Sequence, residues 1–225
     1  MRKIYKMSLS VATAALLVGG LAACSTTAET PAETSPSASA EADPTPVASI
    51  PALDGVDTQV TLDQGFVDAL GTLGLTPGVT GDATLTDGVL AFPITGGNVD
   101  YYDPAADYRP YVQGEIDHDG SGITLTGGDI VVGLSDFRID PGTSQLFGTV
   151  TANGEKVGDD IYIFNLDGST LNPLATDADG NAVLEGTTVL VSPDAAGLLN
   201  DTFGTDAVTD QLVVGIAKIT AKAAA

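Results

Sequence analysis

The chain of 225 residues contains a single histidine, His118, in the segment GEIDHDG at 114–120. Imidazole titrates near neutral pH and serves as base or ligand, so this residue is the first place to look for chemistry. A Ser-His-Asp relay would need a nucleophile aimed at it, and Ser121 stands too close to it in a Gly-rich stretch to serve. The sequence has no G-x-S-x-G elbow, no H-E-x-x-H pair, no paired cysteines and no phosphate-cradling glycine loop. With 30 Asp and Glu residues, a carboxylate-pair hydrolase stays open as the least favoured class. Without Trp, the aromatic platform common in sugar clefts is missing. A non-catalytic binding or structural role is favoured over enzymatic work. Asp177, Asp179 and Asn181, with Glu185 beyond them, offer hard oxygen donors of the kind calcium takes. The glycine falls too early for an EF-hand and the twelfth-position Glu is missing, so an acidic turn is the favoured reading. Asp117 and Asp119 beside His118 are weaker cation candidates still. Tyr101, Tyr102, Tyr108 and Tyr111 cluster shortly before the histidine.

These residues would be positioned by short strands. Runs rich in Val, Ile, Thr, Phe and Tyr recur near 59–62, 83–86, 89–93, 99–102, 112–117, 123–126, 130–135, 137–140, 145–152, 160–165, 182–185, 188–191 and 212–220. Asp87-Gly88, Asn153-Gly154, Asp167-Gly168 and Asp179-Gly180 separate them as hairpin turns would. The expected fold is an all-β antiparallel domain, sandwich or barrel-like, with two short helices. In the first helix Asp63 caps, Phe66, Val67, Leu70 and Leu73 share one face, and Gly74 ends it. In the second Ser192 caps, Pro193 sits in the first turn, Ala195, Leu198, Leu199 and Phe203 form the face, and Gly204 ends it. Each helix follows a strand, a pattern that reads as a weak internal repeat or as common strand-to-helix grammar.

The N-terminal part has a different character. Arg2, Lys3 and Lys6 precede an apolar stretch at 7–23 that ends in LAAC at 21–24, the lipobox pattern of bacterial lipoproteins. Residues 1–23 read as a lipoprotein signal peptide, and Cys24, the lone cysteine, as the site of lipid attachment at the outer face of a cell membrane. Residues 24–50, made mostly of Ala, Ser, Thr, Pro and Glu, are expected to form a disordered tether. Residues 51–221 are the expected β-rich extracytoplasmic domain, large enough for one core. Cleavage would remove three cations and no anion, taking the net charge from −22 to −25. Such a chain repels nucleic acid and anionic headgroups, so the membrane partner is expected through lipid alone.

Read in order, several short motifs resemble one family. GVLAFPITGG occupies 88–97, and His118 follows in GEIDHDG, two residues before a glycine. ITL at 123–125, LSDFRI at 134–139 and the late helix at 192–203 come next. Over about residues 58–220 this order resembles the HtaA-type haem-binding domain of actinobacterial surface proteins. The resemblance implies a β-rich surface module and haem as a candidate cofactor, held by a Tyr with help from the His. The His carries over to His118. Residues 60–70 hold Phe66 but no Tyr, so the candidate haem partners near His118 are Tyr101, Tyr102, Tyr108 and Tyr111.

Overall fold

The structure, a computed structural model, describes residues 44–224. Its elements follow in chain order as β1 (Ala48–Ile50), β2 (Leu53–Leu62), α1 (Gln64–Leu73), β3 (Thr76–Gly81), β4 (Thr84–Thr86), β5 (Val89–Pro93), β6 (Gly96–Tyr101), β7 (Val112–Gly127), β8 (Ile130–Asp140), β9 (Gln145–Ala152), β10 (Glu155–Asp167), β11 (Ala175–Thr176), β12 (Ala182–Val191), α2 (Pro193–Phe203) and β13 (Val213–Ala223). All strands join one sheet in the order β1-β6-β7-β8-β9-β10-β12-β13-β2-β5-β4, with β3 added to β7 and β11 to β12. Every pairing is antiparallel. Of the two architectures expected, this single curled sheet is the barrel-like one.

The curl comes from the chain running almost directly from β5, which pairs with β2, into β6, which pairs with β7. At the joint, Ile94 N–H bonds Val56 O at 2.9 Å and Thr95 N–H bonds Asp117 O at 2.8 Å. The joint therefore bridges the two flanks of the sheet and wraps its concave face around an apolar interior. Val132, Val150 and Ile163 are sealed there at 1 % exposure or less, each contributing about 1.5–3 kcal/mol of burial.

Both helices lie at one end of the sheet, because each follows the C-terminal end of a strand (β2 or β12) that runs the same way beside β13. Asp63 caps α1 and Gly74 ends it in the left-handed conformation, while Ser192 and Gly204 do the same for α2. Phe66, Leu198 and Leu199 then plug the helix end against Ile123, Leu125 and Val150. Val67 was expected on the apolar face of α1 but is 41 % exposed; the helix buries the turn around Leu70 instead.

Three expected strand breaks are corrected. Residues 112–126 form one strand, β7, so His118 lies within it and not at a turn. Residues 130–140 likewise form the single strand β8, and 182–191 the single strand β12. The gaps between the expected strands are bulges, where one strand carries extra residues without turning back. Gly120 (φ +74) and Asp136 (φ +53) face each other across the β7–β8 bulge, and Gly186 (φ +110) makes the bulge in β12. The side chain of Asp136 accepts from Gly120 N–H at 3.0 Å, closing that bulge. The Asp167-Gly168 pair is not a hairpin turn either: Asp167 caps a 3₁₀ turn at Gly168–Thr170. The tether expected through residue 50 overlaps β1, because residues 48–50 pair with β6 and belong to the fold.

Candidate ligand-binding site

Antiparallel geometry places the start of β7, the end of β8, the end of β10, the start of β12 and the end of β13 at the end opposite the helices. That end is open. A cavity of about 660 Å³ runs inward from it, within the 300–1,000 Å³ usual for small-molecule sites. Its walls are strand residues that point inward by the period-two rule, such as Val60, Phe92, Ile116, Phe137, Val189 and Ala217. Around the mouth stand Ala48, Arg109, Pro110, Pro141, Ser169 and Leu174.

His118 lines the inner part of this cavity at 1 % exposure. One ring nitrogen, Nδ1, lies 3.3 Å from Phe137 O, and the other, Nε2, lies 2.8 Å from Thr58 Oγ1. A carbonyl can only accept, so Nδ1 carries the proton and Nε2 accepts from the Thr58 hydroxyl. Burial pushes the imidazole down to about 4, against smaller upward pulls from the Phe137 carbonyl and the Asp57 charge. The ring is therefore neutral at pH 7, with both nitrogens engaged. Phe92 packs edge-on against it and against Phe137, at centroid distances of 6.5 and 5.3 Å. The neighbouring Asp117 and Asp119 are not among the partners of the ring, because strand alternation turns them away from it.

The four tyrosines divide. Tyr101, at the end of β6, is buried and lines the cavity, and the half-buried Tyr111, just before β7, lines it too. Their rings meet edge-on at 6.0 Å. Tyr102 and Tyr108 pack on each other at 4.7 Å in the loop between those strands and do not line the cavity. The structure thus brings His118, Tyr101 and Tyr111 to one apolar space.

Two participants were not singled out in the sequence. Thr58 pairs with His118 across 60 positions, a relation that no local signal carries. Arg109 sits at the mouth, its guanidinium 5.4 Å over the Tyr111 ring. Its Nη1 donates to Ala106 O and Tyr108 O at 2.8 Å and its Nη2 to Pro104 O at 3.0 Å. The available signal was scarcity, since only eight Lys and Arg occur in the chain.

The remaining candidates lie elsewhere. Asp177 accepts from the N–H groups of Asp179 and Asn181 at 2.9 Å and from the Asn181 side chain at 2.8 Å. These bonds, led by the one from the Asn181 side chain, hold its carboxyl below the usual range. Its oxygens thus close a turn. Asp117 is held above the usual range by burial, then by Glu115 and Asp119. Among the described residues no Asp or Glu lines the cavity, so the carboxylate pair required by the hydrolase reading does not form there. Cys24 lies outside the described residues.

This architecture is similar to that of a solved structure. The C-terminal domain of HtaA from Corynebacterium glutamicum superposes with a TM-score of 0.51 at 16% sequence identity, covering 76% of this chain and 97% of that domain. The fold is HtaA-like. No family model and no curated protein matches the chain. At this identity the likeness concerns the fold, and the site must be read from this chain's own residues.

Proposed function

We propose that this protein is a non-catalytic ligand-binding module at the outer face of the cell envelope, held there by lipid on Cys24. The observation that carries the binding role is the deep apolar cavity, open at one end and plugged at the other. Apolar surface left unfilled at this scale forgoes both burial and dispersion, and an apolar guest recovers them. A neutral histidine with both nitrogens satisfied suits a wall residue better than a base. The anchor rests on the LAAC pattern at 21–24. Mass spectrometry of the native N-terminus tests it directly: a diacylglyceryl-modified Cys24 is expected, and an unmodified cysteine refutes the anchor.

Binding is tested by titrating the full chain with the neutral apolar dye N-phenyl-1-naphthylamine. A saturable fluorescence rise is expected, and it should fall in Ala182→Phe, which puts a ring into the cavity from the start of β12. Ala182 is only half-buried, so the fold should tolerate the change. Absence of saturable binding overturns the proposal.

A second reading takes haem as the ligand, favoured by Tyr101 and Tyr111 facing the same apolar space as His118. The fit is partial. His118 offers iron no free nitrogen, and its hydrogen-bond partner is Thr58, not a tyrosine. Tyr101 and Tyr111 are left as the residues that would hold the group. A hemin titration producing a Soret shift that Tyr101→Phe or Tyr111→Phe abolishes supports this reading. A shift that survives both variants, or no shift, refutes it.

A further inference from the structure

The charges of this chain are distributed in a way that narrows the ligand. Acidic residues outnumber basic ones 30 to 8, yet among the described residues no carboxylate lines the cavity and Arg109 is the one cation that does. Asp103 and Asp107 precede Arg109 in its loop, but both are exposed and neither lines the cavity. Arg109 forms no ion pair among the described residues, in contrast to Arg138, Lys156 and Lys222. Its guanidinium is nonetheless fixed: three of its five N–H groups bond loop carbonyls, and the Tyr111 ring lies beneath it. A pinned guanidinium with two donors left over, at the rim of an apolar space, is a preorganised receptor for an anionic group.

We infer that the cavity takes an amphiphile with one negative charge, its apolar chain among the strand residues and its carboxylate against Arg109, as in a long-chain fatty acid. This inference rests on the ligand-binding reading above and adds the class of ligand. One guanidinium balances one negative charge. A dianionic phosphate would leave a charge uncompensated in a chain already strongly negative. The apolar wall accepts a chain of methylenes without asking for further polar partners, at about 0.8 kcal/mol for each buried methylene.

The test uses the full chain carrying Cys24→Ser, so that neither attached lipid nor detergent competes, loaded with N-phenyl-1-naphthylamine. Palmitate, hexadecanol and hemin are compared as displacing agents. Palmitate is expected to displace the dye at least tenfold more effectively than hexadecanol. Arg109→Gln should bring the two together, with hexadecanol unchanged as the check that the mouth keeps its shape. If that check fails, Arg109→Lys decides, and it should retain a preference for palmitate. Equal displacement by palmitate and hexadecanol in the parent overturns the inference while leaving the binding role standing. Displacement by hemin but not by palmitate overturns it in favour of haem. Failure of the dye itself to bind defeats the underlying reading as well.

Discussion

His118 should make the fold acid-sensitive in a window set by its own burial. Its folded-state value lies near 4 against an ordinary 6.5, so the unfolded chain binds the proton more readily. Stability from this group is then complete above pH 6.5, falls as pH drops, and is fully lost below about pH 4. The full difference of roughly 2.5 units corresponds to about 3 kcal/mol, of which about 2 kcal/mol is gone by pH 5. Protonation at Nε2 would set an N–H against the Thr58 hydroxyl that now donates to it, and would put a charge among Phe92, Phe137 and Ile116. The many carboxylates work the other way in part, since protonating them relieves repulsion in a chain of net charge −22. The assay is therefore a difference: urea unfolding of the parent and of His118→Gln at pH 7.5 and pH 5. The Gln side chain can still meet the Thr58 hydroxyl but does not titrate. The parent should lose about 2 kcal/mol more than the variant between the two pH values. Parallel pH profiles would refute the reasoning.

Further predictions follow from the fold. Ser192 is fully buried, donates to Tyr162 O at 2.6 Å and accepts from Ala195 N–H at 3.0 Å; Ser192→Ala should cost about 2–3 kcal/mol in urea unfolding, the lost cap plus an orphaned carbonyl. Gly97 has φ +112, and a Cβ there would run into the Glu115 carbonyl of β7; Gly97→Ala should separate β6 from β7 locally, raising amide exchange across both strands. Ile163→Ala should cost about 2–5 kcal/mol, because the side chain is completely enclosed, and chemical denaturation measures that directly.

Much of the scaffold was legible because local chemistry set it. Asp87-Gly88 and Asn153-Gly154 adopt positive φ at both positions, the type I′ geometry their residue types favour. Asp63 and Ser192 cap their helices, and Gly74 and Gly204 end them, as their side chains dictate. The strand breaks expected around Gly120 and Gly186 are bulges, because a glycine at positive φ serves a bulge as well as a turn, and only the partner strand distinguishes the two. The site was half legible. The scarcity of histidine pointed to His118, and proximity in sequence pointed to the tyrosines. Strand alternation and the course of the loop decided which tyrosines face inward, separating Tyr101 and Tyr111 from Tyr102 and Tyr108. Thr58 and the cavity itself arise because the curl of the sheet brings β2 across from β7, with which it does not pair, and no short window of sequence contains that information.

The central claim is that the open end of the curled sheet binds an apolar guest, and methyl-resolved NMR during a titration with palmitate addresses it most directly. Saturable shifts are predicted for the methyl groups of Ile50, Ile139, Leu184 and Ile219, which line the cavity, with Val157 and Ile216 on the exposed surface left unmoved. Shifts confined to those exposed residues, or no saturable shift at all, would contradict the account.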